Sequence, residues 1–389
     1  MKDRYILMHK NTPCGVLSID RDSGALEEFK LTEKEYGPFL GNADERLMKI
    51  WWKHRAVPGN RKDIVEAIRN AACETNEEYL AKNLALSLTD TYWICPAGMD
   101  LAWDDVKLYG KKYASDDYLI YQGGSSYDPN ASLGGEMDKY WDISGEVPFL
   151  IKKAYQYNGQ QSVNEAFATH LHKLQETSIA FAEYAVSSSD DGAALSSCMS
   201  FTSEKIEFVS AYELLRSSKK KTDLSNFGHY LDVCEKHGLD RAVMQKAMDY
   251  LILSDFAITN VDEHPGNFGV LRDTETMELI GPAPIFDSGN SMFFNCPTRD
   301  RALTRIELLE MNINSINKKE EDMLHHVADV SVLDYDKLPS HNDVVEFYSA
   351  HGITEERSIF IAAGYCNKLS LLQDFQSGIK VSLYHEKQP

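Results

Sequence analysis

Apolar residues recur along the chain at two spacings, and each spacing predicts one kind of element. Short β-type runs separated by polar turns predict a small β-meander over residues 5–31. From residue 42 to 88 the apolar positions follow helical spacing, and the aromatic run 89–96 predicts a strand. After residue 294 helical spacing returns. The chain is therefore predicted to be of the α+β class, with C-terminal helices over residues 303–311, 318–330, 341–350 and 354–373.

The most distinctive stretch is a polar segment between a predicted long helix, residues 240–258, and a predicted β-hairpin, residues 268–280. This segment contains two acids, a histidine and two asparagines. An Asp-Ser-Gly sequence that begins at Asp287 follows the hairpin. We therefore expect a loop that carries Asp262 and Asn267, with Asp287 returned beside it by the hairpin.

Asp262 and Asn267 have the spacing of the D-x-x-x-x-N catalytic loop of kinases. In that interpretation Asp262 accepts the proton of a substrate hydroxyl, while Asn267 and Asp287 offer the oxygen ligands that Mg²⁺ prefers. His264 would contact phosphate or brace the loop. The alternative is that the Asp, Asn and Gly residues of this stretch are ordinary turn residues. The preceding helix, the hairpin and the Asp-Ser-Gly sequence favour the catalytic interpretation.

A Gly- and Ser-rich segment covers residues 118–141. Glycines allow backbone N–H groups to approach phosphates, although the segment contains neither a Walker loop nor the kinase G-x-G-x-x-G. A flexible surface connection is the alternative. The apolar run 147–152 then predicts a strand. It ends in Lys152, where a kinase lysine holds the α- and β-phosphates, or where a lysine simply caps an exposed strand end.

Glu165 has two interpretations. It completes a Ser-x-x-Glu capping box with Ser162 at the start of a predicted helix. Alternatively, it forms the kinase ion pair with Lys152. The sequence slightly favours the ion pair.

The combination of N-x-D-x-H-x-x-N-F-G with A-P-I-F-D-S-G resembles the HipA-like kinase family of bacteria, in particular a branch found in Gram-positive genomes. The resemblance is strongest over residues 251–293 and weaker over residues 118–214. It implies a two-lobed, protein-kinase-like fold with Mg²⁺ and ATP as cofactors. The implied regions are an added N-terminal region of a small meander plus helices (1–117), a kinase N-lobe with the Gly-rich loop (118–201), and a helical C-lobe (202–389).

The same resemblance assigns roles residue by residue. Ser132, Gly135 and Lys139 match the family's phosphate loop S-x-x-G-x-x-x-K, although Met137-Asp138 departs from the Gln-Pro or Gln-Glu usual before the lysine. Ser132 stands where the family has a serine that can itself be phosphorylated. Asp262 is the implied catalytic residue, and Asn267 and Asp287 are the implied metal ligands. The implied cofactor-binding residues are Ser132, Gly134, Gly135, Lys139, Lys152, Glu165, Met199, Phe201, His264, Asn267 and Asp287.

The function implied is transfer of the γ-phosphoryl group of ATP to a Ser or Thr hydroxyl, on a protein not identified by the sequence. The family's best-known members are toxins with a small DNA-binding antitoxin, so such a partner is implied as well. The alternatives are a lipid or small-molecule kinase of the same fold and a non-catalytic nucleotide-binding pseudokinase. A metal-dependent phosphohydrolase could use Asp262-x-His264, but a G-N-H-[DE] ligand run is missing.

Composition limits the compartment and the partners. Forty Lys and Arg against 60 Asp and Glu give a net charge of −20, which disfavours direct nucleic-acid binding. The seven cysteines are scattered and never spaced C-x-x-C, which fits a reducing cytoplasm. Neither a signal-peptide core nor an apolar run long enough for a membrane span is found. We therefore expect a cytoplasmic protein without a membrane or nucleic-acid partner.

Overall fold

The computed structural model describes residues 1–59, 61–110, 127–135, 137–189 and 192–387. Most of the Gly- and Ser-rich stretch before residue 127, and the predicted boundary after residue 117, lie outside these ranges. In chain order the elements are β1 (Lys2–His9), β2 (Thr12–Asp20), β3 (Leu26–Leu31), α1 (Pro38–Gly41), α2 (Glu45–Arg55), α3 (Lys62–Asn70), α4 (Asn76–Lys82), β4 (Tyr92–Pro96), α5 (Trp103–Val106), β5 (Asp138–Asp142), β6 (Phe149–Ala154), α6 (Gln160–Gln175), β7 (Tyr184–Ser188), β8 (Ala194–Met199), β9 (Ile206–Ser210), α7 (Ala211–Ser217), α8 (Asn226–Lys236), α9 (Arg241–Ile258), β10 (Gly269–Asp273), β11 (Leu279–Pro282), α10 (Arg305–Glu310), α11 (Glu320–Leu324), α12 (His341–Ala350), α13 (Glu355–Gln376) and α14 (Leu383–Glu386).

The chain forms two compact units, each assembled from three separate segments. The first unit consists of residues 1–152, 199–220 and 271–280, and the second of residues 153–198, 221–270 and 281–389. The mixture of strands and helices confirms the predicted α+β class. The three regions expected from the sequence (1–117, 118–201 and 202–389) remain a prediction.

The first unit begins with the predicted meander. Strands β1, β2 and β3 are joined by β4 into one antiparallel sheet of order β3-β2-β1-β4, in which Leu7 lies opposite both Gly15 and Ile94. Helix α2 starts at the N-cap Asp44, whose carboxylate accepts from the amide of Leu47 at 2.7 Å. The apolar side chains of this helix are buried in the core of the unit beneath the sheet, because apolar surface is most stable away from water.

A buried charge network explains why residues 206–210 and 271–280 belong to the first unit. The Glu207 carboxylate accepts from Arg272 Nε at 2.7 Å, pairs with His9 Nε2 at 3.1 Å and accepts from the Thr91 amide at 3.1 Å. Burial alone would raise the pKa of Glu207, but Arg272 and His9 hold it well below its usual range. Strands β9 and β10 are thereby tied to β1 and to the residue that precedes β4. The predicted hairpin is present, with β10 and β11 as neighbours.

The second unit is built around α9, which is buried from Ala247 to its end. Asp240 caps the helix by accepting from the amides of Ala242 and Val243 at 2.8 and 3.0 Å. Helices α8, α11 and α13 pack against α9, and α12 packs against α13. Three of the predicted C-terminal helices are present as α10, α12 and α13. Strands β7 and β8 pair antiparallel in the same unit.

The prediction of one helix over residues 318–330 is wrong, because α11 ends at Leu324. The amides of Ala328 and Asp329 donate instead to the carboxylate of Asp249 at 3.0 and 2.9 Å, and Gln245 Nε2 donates to the carbonyl of His326 at 3.0 Å. These bonds to α9 replace the intrahelical bonds that a longer helix would make. None of the helices in the described ranges is both long and apolar enough to span a membrane.

Candidate catalytic site

The polar loop after α9 is held in shape by its own side chains. Thr259 takes the left-handed conformation (φ 53°) and turns the chain out of the helix. Asn267 Nδ2 then donates to the carbonyl of Asp262 at 3.0 Å, and the amide of Asn267 donates to the carbonyl of His264 at 2.8 Å. His264 Nδ1 accepts from the amide of Gly266 at 3.0 Å. His264 thus braces the loop through its ring nitrogen, while its contact with a phosphate remains a prediction.

Two asparagines hold the carboxylate of Asp262, one on each oxygen. Asn290 Nδ2 donates to Oδ2 and Asn314 Nδ2 donates to Oδ1, both at 2.9 Å. Asn290 is itself fixed, because its Oδ1 accepts from Gln161 Nε2 at 2.7 Å. The sequence analysis missed all three of these partners. Asn290 directly follows Asp-Ser-Gly and could have been noticed there, whereas nothing in the pattern around Asn314 or Gln161 marks them.

The structure brings the segment after the hairpin to the polar loop, as expected. The amide of Val261 donates to the carbonyl of Asn290 at 3.0 Å, and the amide of Met292 donates to the carbonyl of Ile258 at 2.8 Å. Upstream of Asp287, the residue Ile285 pairs with the segment 180–182 through bonds of 2.8 and 2.9 Å. These backbone bonds, all within the second unit, therefore hold the segment after the hairpin against the polar loop. Residues 271–280 of the hairpin itself belong to the first unit.

Asp287 sits in a strained turn. Its φ is +64°, a region that non-glycine residues rarely adopt and that often marks functional sites. Its amide donates to Tyr184 Oη at 3.4 Å, and the next amide, of Ser288, donates to Glu165 Oε2 at 2.9 Å. A methyl group on Gly289 would lie 3.3 Å from Glu165 Oε1. Helix α6 thus supports the turn directly through Glu165.

The capping-box interpretation of Glu165 is wrong. Helix α6 begins at Gln160 with Gly159 as its N-cap, so Ser162 is already inside the helix. Ser162 Oγ donates to the carbonyl of Ala194 at 3.1 Å. Glu165 is buried and accepts from the Asp-Ser-Gly turn, a partner that the sequence did not suggest. Lys152 belongs to the first unit, and its ion pair with Glu165 remains a prediction.

Two buried acids lie beneath the polar loop. Asn260 Nδ2 donates to Asp255 Oδ1 and to Glu263 Oε2, both at 3.1 Å. Burial raises the pKa of Asp255 to about 8. Burial, followed by the charges of Asp255, Asp287 and Asp262, raises the pKa of Glu263 well above its ordinary value. Burial therefore favours the protonated form of both acids.

The predicted phosphate loop lies in the first unit. Ser132 ends a short 3₁₀ turn, and Gly135 has a φ of +90°. A methyl group at Gly135 would collide with the ammonium group of Lys139, which is buried. Lys139 therefore lies directly over Gly135, and the glycine is required both by its backbone conformation and by the space that the lysine occupies. Gly134 precedes this contact in the same loop.

Arg61 joins the two ends of that loop and was missed by the sequence analysis. Its guanidinium donates to the carbonyl of Leu133 at 2.9 Å and also to the carbonyl of Lys139. Asn130 adds a second brace, because its Oδ1 accepts from the amide of Trp141 at 2.8 Å. Arg61 is buried, and a single arginine before a helix gives no sequence signal of such a role.

The remaining predicted nucleotide-binding residues also fall in the first unit. Lys152 is buried in β6, where the sequence predicted a strand. Met199 ends β8 with 55% of its surface exposed, and Phe201 follows it. Between them, the amide of Ser200 donates to the carbonyl of Pro148 at 2.8 Å. The contacts of these residues with a nucleotide remain predictions.

A magnesium ion is implied by the motif, and the residues fit it. Asn267 donates through its Nδ2 to the carbonyl of Asp262, so its Oδ1 is the atom that would bind the metal, and Asp287 would add a carboxylate. Nowhere in the described ranges do three or more His, Cys, Asp or Glu side chains form a group suited to a metal. A pair of protein oxygens suits Mg²⁺, which commonly completes its shell with water and substrate phosphates.

Comparison with known proteins gives distant structural similarity and no match by sequence. No model of a protein family matches the chain, and no curated protein matches it. Among solved structures, it is similar to the proinflammatory kinase CtkA of Helicobacter pylori, with a TM-score of 0.44 and 16% identity over 64% of this chain and 95% of that one. It is also similar to HipA in a complex with HipB and operator DNA from Shewanella oneidensis MR-1, with a TM-score of 0.49 and 12% identity over 98% of this chain and 94% of that one. The function is therefore inferred below from the residues of the site.

Proposed function

We propose that the protein is an ATP-dependent phosphotransferase that transfers the γ-phosphoryl group to a hydroxyl. The observation that supports this most strongly is the carboxylate of Asp262, held on both oxygens by amide donors. It lies in the loop whose Asn267 has kinase spacing, and the Asp287 turn packs beside that loop. Phosphoryl transfer demands mainly positioning and charge stabilisation, which such an arrangement supplies.

Each residue has a distinct proposed role. Asp262 orients the acceptor hydroxyl and takes its proton. Asn267 and Asp287 hold Mg²⁺, which when bound neutralises charge on the triphosphate. Lys139 and Lys152 contribute positive charge to the phosphates, with Lys139 already folded over the glycine of its loop.

The proposed acceptor is a Ser or Thr of a protein, and a small DNA-binding antitoxin is the proposed partner. Both follow from the resemblance of the motifs to HipA-like kinases. A lipid or small-molecule hydroxyl is the alternative acceptor for the same reaction. The cytoplasm is the proposed place of action, in keeping with seven cysteines that are all free thiols.

The experiment that tests this proposal is incubation of the protein with γ-labelled ATP and a cell lysate, with and without Mg²⁺. We expect labelled protein bands that require Mg²⁺. Asp262→Asn should reduce the transfer rate by about 10²- to 10⁴-fold, because the general base is lost. ATP affinity should change little, since Asp262 is not a proposed nucleotide ligand.

Asp300→Asn is the matched control, because it removes an exposed carboxylate outside the proposed site. It should transfer label at the wild-type rate. Wild-type transfer by Asp262→Asn would contradict the assigned base, and transfer without Mg²⁺ would contradict the metal. Label found in a lipid or small-molecule fraction instead of in protein would show that the acceptor is not a protein Ser or Thr.

A further inference from the structure

The segment 311–318, which carries no recognisable motif, is attached to the catalytic loop by its backbone. The amide of Asn314 donates to the carbonyl of Val261 at 2.7 Å. The amide of Ile313 donates to the carbonyl of Lys318 at 3.0 Å, so the segment closes on itself. Ile313 is buried, whereas Asn314 is exposed. The position of the Asn314 Cα atom is thus fixed by backbone bonds, independently of any contact that the side chain makes.

From this position Asn314 reaches only one of the two oxygens of the Asp262 carboxylate. Its Nδ2 donates to Oδ1 at 2.9 Å, while Asn290 donates to Oδ2 at the same distance. Asn290 is held in turn by Gln161. One donor is therefore anchored on α6 through Gln161, and the other comes from a surface segment 52 residues downstream of Asp262.

A carboxylate has about four lone-pair sites on its two oxygens. One donor on each oxygen fixes the plane of the group and leaves lone pairs for a substrate hydroxyl. With Asn290 alone, only one oxygen of the carboxylate would be held, so its rotation about the Cβ–Cγ bond would be less restricted. Small misplacements of a catalytic group lower rates steeply, so the second donor matters to the reaction.

We infer that Asn314 is a positioning residue for the proposed phosphoryl transfer, which fixes the plane of the Asp262 carboxylate without touching the substrate. This inference rests on the proposed function. It assigns a role in the reaction to the segment 311–318, which the sequence analysis treated only as part of a helical region.

Three substitutions at Asn314 separate positioning from loop stability. All three keep the backbone amide that docks the segment on Val261. Asn314→Ala removes the donor and should lower kcat by about 10- to 100-fold, the size expected for one hydrogen bond to a charged group, with little change in KM for ATP. Asn314→Asp places a second carboxylate against Asp262 and should lower kcat further. Asn314→Gln retains an N–H donor and should recover part of the rate.

Asn312→Ala is the matched control, because Asn312 is an exposed asparagine of the same segment. It should leave kcat unchanged. A double-mutant cycle completes the test. If Asn314 acts through Asp262, Asn314→Ala should lower the residual rate of Asp262→Asn by much less than it lowers the wild-type rate.

The outcomes separate this inference from the proposed function. Absence of any transfer by the wild-type protein would overturn the proposed function, and the inference with it. An active wild type with Asn314→Ala at the same kcat would overturn the inference alone. So would an equal loss from Asn314→Ala in the wild-type and Asp262→Asn backgrounds, because Asn314 would then act independently of the base.

Discussion

At the scale of single residues, the polar loop after α9 contacts two buried acids, Asp255 and Glu263, whose pKa values are raised by burial. Asn260 donates to both of them, so these side chains join the loop to α9. Burial opposes ionisation of the two acids, whereas the bonds from Asn260 favour it, and burial is the larger effect.

The pH dependence of stability follows from Asp255. Burial raises its pKa from 3.8 to about 8, so the folded state binds this proton more tightly than the unfolded state. Stability from this group is complete below about pH 4 and is lost as the pH rises towards 8, with a slope of at most about 1.4 kcal/mol per pH unit. We expect Asp255→Asn to lose less stability than the wild type between pH 5 and pH 8.

Denaturant unfolding at the two pH values measures this difference, with Asp300→Asn as an exposed control. The amide in Asp255→Asn keeps an oxygen to accept from Asn260, which limits other disturbance. Asp255→Asn also removes a charge that raises the pKa of Glu263, so the comparison measures Asp255 together with its effect on Glu263. Parallel loss of stability in the wild type and Asp255→Asn would show that this carboxyl does not hold the proton.

How much of the site could be predicted differs from residue to residue. Asp262, Asn267 and Asp287 could be proposed from the sequence because kinase spacing is local and the chemistry limits the residue types, and their roles remain predictions. Asn314 and Arg61 could not be identified, because their partners are distant in the chain and are selected by tertiary packing. For Glu165 the capping-box alternative was wrong, because helix α6 begins at Gln160, two residues before Ser162.

At the scale of elements, the loop over residues 132–139 combines a glycine turn with a folded-back lysine. Gly135→Ala should cost about 1–2 kcal/mol of stability for the left-handed backbone and should also displace Lys139. If Lys139 contacts phosphate, KM for ATP should rise by about tenfold, as expected for loss of one charged hydrogen bond. Steady-state kinetics and thermal unfolding measure the two effects.

Gly98→Ala is the matched control for this element. Gly98 has the same φ of +90° and belongs to the first unit, but a methyl group there meets nothing within 4 Å. It should show the stability cost without the change in KM. Equal KM values for Gly135→Ala and the wild type would show that Lys139 does not contact the phosphates of ATP.

Element boundaries were predictable where local signals dominate. Helix α12 covers the predicted residues 341–350, because Ser340 and Asp343 form a capping box at its start. Helix α11 stops early because Asp249, far away in sequence, takes the amides that would have continued it. Periodicity contains no information about such a distant acceptor.

At the scale of the whole molecule, the chain passes between the two units five times. The sequence analysis predicted three consecutive regions instead, because local patterns contain no information about which distant segments pack together. Residues 1–152 contain the larger part of the first unit but lack Glu207 and Arg272. In a fragment of these residues, His9 and Thr91 would lose their buried partners, and unpaired buried polar groups are costly.

We therefore expect a fragment of residues 1–152 to lack a cooperative thermal transition. A single chain that joins residues 1–152, 199–220 and 271–280 through flexible linkers restores those partners and should unfold cooperatively. Circular dichroism during heating distinguishes the two. A cooperative transition in the short fragment would show that the charge network is dispensable for this unit.

Residues 271–280 belong to the first unit. In the sequence they stand between Asn267 and Asp287, which both belong to the second unit. In genetic terms, neither unit can be copied into another gene as one uninterrupted stretch. The shortest reading frame that contains all three segments of the first unit runs to codon 280 and carries much of the second unit with it. The two units are therefore inherited together, and recombination cannot exchange one of them while leaving the other intact.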